Sequence, residues 1–343
     1  MPEQRSTVTT PAAPGSLADI IRREPRLFVL PPYWTHNHSR VLGARFWEQP
    51  AITRPFLERK LSVPPKPSEM AKALILNLDT LLSWDTLPER ASEAMEHVMA
   101  TFFPATLHKP QTDARLKLHF GERVFNKAVH VSSLWTSSST DGSASTISSA
   151  SVLAYVPRER LRSKLVAPAD ADRDPHIVAT LLAMAQAHFY KETSLTPPVF
   201  TPAPLFQRPV AHTNADTPFY DVTGQIITHQ GEGESANFVV YTAVVTATFL
   251  RRFMFPYEGP DSEDSKSGMD ISVRKVKVFP ILGLRERLVR ALLPELVEPY
   301  SIHFWGPLVE RSRKRKRAGS GSFEEEHSPR VPSLRDGKRQ FCR

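Results

Sequence analysis

Asp170, Asp172 and Asp174 stand at alternate positions, and D-x-D-x-D is how a calcium-binding loop begins. Such a loop also needs glycine at its sixth position and glutamate at its twelfth, to turn the chain and close the oxygen cage. Pro175 and Leu181 occupy those places, so the acids are assigned to opening a helix. Asp174 is its cap, Pro175 its first residue, and the carboxylates complement the positive end of its dipole. His36 and His38 lie two apart with no second ligand pair at metal spacing, and are read as a surface pair. His188, on an apolar helical face, is read as a structural histidine. Residues 231–235, Gly-Glu-Gly-Glu-Ser, lack the lysine of a phosphate loop and the spacing of a dinucleotide fingerprint, which leaves a turn. G-x-S-x-G is absent, and the single cysteine, Cys342, sits beside the last residue, where a nucleophile cannot be preorganised. No residue is therefore assigned a catalytic, metal-binding or cofactor-binding role.

The elements that would position any chemistry follow from periodicity. Apolar residues recurring at three- and four-residue steps predict helices near 69–83, 88–103, 175–191, 246–254 and 284–293. Residues 115–135 alternate as a hairpin turning near Gly121, and Ala150–Pro157 reads as a strand. Phe238–Val245 is apolar on both faces, as in an interior strand covered twice. From Ile271 the alternation changes phase between Val273 and Val276, which predicts a bulge. The predicted fold is α+β, a small mixed or antiparallel sheet packed by helices.

Proline is abundant, 31 of 343 residues, and must lie in loops and arms because it removes a backbone donor. Residues 1–67 read as a Pro/Arg/aromatic-rich arm whose first 16 residues are disordered, and 68–300 as a single domain. Flexible insertions are placed at 136–149, 193–218 and 258–268, and a disordered basic tail at 306–343. Thirteen of the twenty residues from Ser132 to Ser151 are serine or threonine, a low-complexity loop. The formal charge of +8 is segregated: residues 311–343 carry 11 Lys and Arg against 4 Asp and Glu, leaving the body almost neutral. With one cysteine there is no internal disulfide. The longest apolar stretch, 238–250, falls short of the roughly 20 residues that span a bilayer. An intracellular protein with no membrane association is expected.

The order helix–strand–strand–helix–strand from Asp174 to Pro280 distantly resembles the core of PD-(D/E)XK nucleases. In that family an Asp on one strand and a Glu-x-Lys on the next bind magnesium and activate water. Asp221 stands at the first position, but Phe238–Val245 carries neither acid nor lysine, and Glu234-Ser235-Ala236 lies in the turn. The resemblance thus implies an inactive scaffold. A closer one is carried by HIVATLLAMAQAHFYKE at 176–192, FVVYTAVVTATFLRRFMFP at 238–256 and VFPILGLRERLVRAL at 278–292. These are similar to a lineage-restricted family of uncharacterised proteins of filamentous fungi. That resemblance spans 174–295 and implies a source, with no activity, substrate or site.

These readings favour a non-enzymatic nuclear protein whose neutral body binds a protein or peptide partner. Arg311, Arg313, Lys314, Arg315, Lys316 and Arg317 form the expected nuclear-import signal, bound by an import receptor. Ser322 and Ser328 are the expected phosphosites beside it. One alternative is nucleic-acid binding on the degenerate nuclease-like scaffold through Arg251, Arg252, Arg274, Lys275, Lys277, Arg287 and Arg290. Another is an enzyme whose site is assembled from scattered residues.

Overall fold

The two-sided apolar pattern of 238–245 is realised in β6 (Asn237–Val245), where Val239, Tyr241, Ala243 and Val245 enter one core and Phe238 and Val240 another. The computed structural model of the protein describes residues 11–52, 69–107, 109–136, 151–162, 170–190, 219–259 and 268–293. The import signal, Ser322 and Ser328 lie outside them, as does nearly all of the three predicted insertions. The other strands are β1 (Ala44–Ile52), β2 (Gln111–Phe120), β3 (Arg123–Thr136), β4 (Ser151–Tyr155), β5 (Val222–Gln230) and β7 (Met269–Lys277). They form one mixed sheet in the order β1-β7-β6-β5-β4-β3-β2. The pairs β1–β7 and β4–β5 are parallel and the rest antiparallel. The fold is α+β.

One face of the sheet is covered by α6 (Pro175–Gln186), every residue of which is buried. Asp174 caps it as predicted, accepting from the His176 N–H at 2.8 Å. The helix ends at Gln186 rather than near 191, tightening into bonds such as His188 N–H to the Ala185 carbonyl. Where α6 crosses β5 the strand has Gly224, and a Cβ there would stand 3.0 Å from a Leu181 methyl. Gln186 meets the edge strand directly. Its Nε2 donates to the His119 carbonyl at 2.9 Å, and its Oε1 accepts from the His119 N–H at 2.8 Å. The same face carries α1 (Leu17–Arg23), α2 (His36–Val41) and α7 (Ala247–Met254). The opposite face is covered by α3 (Glu69–Leu82), α4 (Pro88–Phe102) and α8 (Leu284–Val289). The short α5 (Arg158–Arg162) follows β4 and places Leu161 in the core on the α6 side. No helix among the described residues is long and apolar enough to cross a membrane.

The part of the arm from 17 to 52 is anchored on the body by its aromatics, Phe28 packing edge-on to Phe120 and Phe125, and it is not irregular throughout, since β1 adds a strand beside β7. The close approach of Gly43 and Gly268 permits that pairing, since a Cβ on Gly268 would fall 2.2 Å from the Gly43 carbonyl oxygen. The phase change in β7 is not a bulge, because its register with β6 is continuous. Met269, Ile271 and Val273 face one core, Val276 the other, and the register shift lies between Gln49 and Ile52 of β1. Finally, β3 runs through Ser132 and Ser133 to Thr136, held by buried Trp135, whose Nε1 donates to the Leu107 carbonyl at 3.0 Å. Ser132 and Ser133 thus belong to the strand of the predicted 115–135 hairpin and not to the serine-rich loop.

Candidate functional site

The acids before α6 reach the carboxyl ends of the central strands. Asp170 accepts from the Asp172 N–H and so caps a single 3-10 turn, Ala171–Arg173. Asp172 receives Lys275 Nζ from β7 at 2.8 Å, with Arg158 at 3.6 Å. Arg158 also donates to the Gln230 side chain at the end of β5. The hydrogen bond to Asp172 is the main reason the Lys275 pKa is raised. On the other side of the sheet end, buried Tyr155 meets His229 Nδ1 at 3.0 Å, and burial lowers the pKa of that histidine. Two cations on one carboxylate make a ligature between α6, α5 and β7. No group of three or more His, Cys, Asp or Glu among the described residues is arranged to hold a metal.

Asp221, the acid at the nuclease-like position, accepts from the Ala247 N–H at 2.8 Å and so serves the first turn of α7. The seven basic residues of the nucleic-acid alternative have separate tasks. Arg251 pairs with Glu258 at 3.7 Å and lies over Phe255, while half-buried Arg252 lies over Phe249. Arg274 donates to the Arg290 carbonyl, which joins β7 to the end of α8. Lys275 is held by Asp172, and Lys277 is exposed at the end of β7. Arg287 is 1% exposed and donates to the carbonyls of Lys277, Val278, Pro280 and Leu282. Its guanidinium is spent on the backbone of the β7–α8 turn.

His38 corrects the expectation of a surface histidine pair: it is 6% exposed. Thr35 and His38 form a capping box at the start of α2, with the Thr35 N–H donating to His38 Nδ1 at 2.8 Å. A Thr-x-x-His spacing before a short helix was the available signal, since Thr-x-x-Glu or Gln is the familiar box.

The surface that stands out is α3 with the turn that follows it. Met70, Ile75, Leu76, Trp84 and Leu87 are 55%, 40%, 67%, 80% and 61% exposed. Periodicity at 70–82 locates a helix, and α3 does bury Leu74, Leu78, Leu81 and Leu82 against α4. Its outer side sets Met70, Ile75 and Leu76 among Glu69, Lys72, Asn77 and Asp79. Clustered large apolar side chains at a surface mark interaction sites. Exposed charges around the patch are predominantly acidic: Glu69, Asp79, Asp85 and Glu89 against Lys72 and Arg90, with Lys72 held by Glu69 at 2.8 Å. No family model, curated protein or solved structure matches the chain.

Proposed function

We propose that the folded body is a binding module for a protein partner, engaged along α3 and the α3–α4 turn by an amphipathic helix with basic borders. The observation that carries this is the exposure of Leu76 on a helix whose opposite side is already buried, together with that of Trp84 and Leu87 in the turn that follows it. A partner helix laid against α3 would bury that apolar surface, at roughly 25 cal/mol per Å² removed from water, and Trp84 is the residue type most often found to anchor such contacts. The acidic surround favours lysine or arginine beside the partner's apolar stripe. In the same reading Arg311–Arg317 delivers the protein to the nucleus.

The test is calorimetric titration of the full chain with a leucine–lysine amphipathic model helix. Leu76→Glu and Trp84→Ala, both at exposed positions, are expected to leave the circular dichroism unchanged and to weaken binding at least tenfold, about 1.4 kcal/mol. Equal affinity for wild type and both variants sinks the reading. Concentration-dependent dimerisation abolished by the same substitutions would assign the face to a second copy of the chain instead.

A further inference from the structure

His38 closes the capping box of α2, a place where glutamate or glutamine is the familiar residue. Its Nδ1 accepts from the Thr35 N–H at 2.8 Å, so that nitrogen carries no proton. The Thr35 hydroxyl lies 3.1 Å from the same atom, and the backbone of Leu27 is the other polar group acting on the ring. An amide oxygen accepts at every pH, whereas an imidazole nitrogen accepts only while unprotonated. A proton on Nδ1 sets one donor against another. The Thr35 hydroxyl can take that proton, but the Thr35 amide is left without its acceptor. Burial lowers the pKa of the ring, so it is neutral at pH 7.

The box organises a segment that is lightly held. Among the described residues, the backbone–backbone hydrogen bonds of residues 19–42 all close within 16–43. The segment is tied to the body at its ends, by the Ala13 and Ala18 N–H groups to the Tyr257 and Pro256 carbonyls and by the Met269 N–H to the Gly43 carbonyl. Between those ties it rests on side chains: Trp34 and Leu42 enter the core and Phe28 meets the hairpin. An apolar cavity of about 70 Å³ remains between it and the β2–β3 hairpin and α7, so the packing beneath is incomplete. Segments held in this way open at lower cost than central strands. No charged side chain lines that cavity, and none is among the influences on the His38 ring. The charged or titratable groups of the surrounding elements are engaged elsewhere: Asp19 with Arg23, Arg45 with Asp270, Arg123 over Phe28, Arg252 over Phe249. His36 and Arg40 of α2 are exposed, and α6 offers only His176, in its first turn. Lys117 and His119 alternate with cavity-lining Leu118 and Phe120, and so lie on the other face of β2. We propose that residues 17–43 form an acid-released strap, latched by His38 Nδ1 and opened when that nitrogen takes a proton, which uncovers the apolar wall of the hairpin and α7. The strap is independent of the α3 surface and lies on the opposite face of the sheet.

The closed strap holds the ring below the 6.5 of a released histidine, so closure is fully favoured above that pH and weakens as pH falls through the closed-state value. The test is hydrogen exchange on the full chain from about pH 7.5 to about pH 5, corrected for intrinsic exchange, beside an NMR titration of its histidines. The Phe28, Trp34 and Leu42 amides bond only within the strap. Their protection is expected to fall relative to that of β6, by up to about tenfold for each pH unit below 6.5 until the closed-state pKa is reached. His38→Gln supplies the familiar Thr-x-x-Gln box and should hold that protection level across the range while the other histidines still titrate. An equal fall in wild type and His38→Gln overturns the proposal, because another group would then be the cause. So does protection of the strap that keeps step with β6 throughout. A His38 pKa of 6.5 or above, as an imidazolium held by the Trp34 face would give, overturns it too. Should His38→Gln fail to fold, the wild-type titration decides: strap opening must follow the His38 ring and no other histidine.

Discussion

Gln186 is expected to hold the outer edge of the sheet, and the consequence can be worked from two distances. Its amide reaches both backbone groups of His119, donating at 2.9 Å and accepting at 2.8 Å, as a neighbouring strand would. Gln186 is buried and so is His119, so neither backbone group has water to fall back on. Gln186→Leu keeps the approximate volume and removes both partners. Each orphaned group costs about 1–3 kcal/mol, which places the loss near 4 kcal/mol. For a body of this size that is a fall in melting temperature of roughly 8–16 °C. Urea unfolding followed by circular dichroism measures it as a lower midpoint at unchanged slope. Gln186→Glu adds a check that packing alone would not produce. The carboxylate can accept but not donate, and burial raises its folded pKa above the unfolded value. Its stability relative to wild type is therefore best below the unfolded carboxyl pKa, near 4.3, and falls as pH rises through the folded one. A Gln186→Leu protein within 1 kcal/mol of wild type would refute the reasoning.

His119 stacks on Tyr190 with centroids 3.7 Å apart, and burial, then Lys117, lowers its pKa to about 4. Stability from this depressed group is present above the unfolded pKa of 6.5 and lost as pH falls towards 4, about 3 kcal/mol in all; an NMR titration giving a ring pKa of 6 or more would contradict it. Arg287→Ala removes a buried cation from four carbonyls and should cost about 3–5 kcal/mol, with Arg287→Lys recovering part, whereas a loss below 1 kcal/mol would mean those carbonyls find water. A reporter fused to residues 306–343 should concentrate in nuclei and lose that distribution when Lys314, Arg315, Lys316 and Arg317 become alanine; equal distribution of both forms would refute an import role.

Long periodic segments were legible because their burial is one-sided and local. Helices α3 and α4 lie within a residue of the predicted spans, the hairpin turns at Gly121–Glu122, and Asp174–Pro175 opens α6. Parallel pairing was not legible. β1 reads Ala-Arg-Phe-Trp-Glu-Gln-Pro, short of the usual strand signature and with a proline inside, and its partner lies 225 residues away, as Arg45 and Asp270 show with their ion pair. Only tertiary contact can stabilise such an edge, so local pattern does not announce it. The phase change in β7 does not require a bulge, since a strand can shift its apolar residues from one face to the other. Lys275 takes the next place on the face of Met269, Ile271 and Val273, and is polar because it meets Asp172 there and not a core. The exposed face of α3 is not announced by periodicity, which locates the helix from Leu74, Leu78, Leu81 and Leu82 and leaves Leu76, off that stripe, without a place. His38 was misread because its neighbours Asn37, Ser39 and Arg40 are polar, while its burial comes from Trp34, stacked on it with centroids 5.4 Å apart.

The most direct test of partner binding through α3 is an NMR titration of the ¹⁵N-labelled full chain with the leucine–lysine helix at low and at moderate salt. Shifts should be confined to residues 70–87, include the exposed Trp84 indole, and weaken as salt screens the acidic surround. No shifts, or shifts centred away from α3, would contradict it.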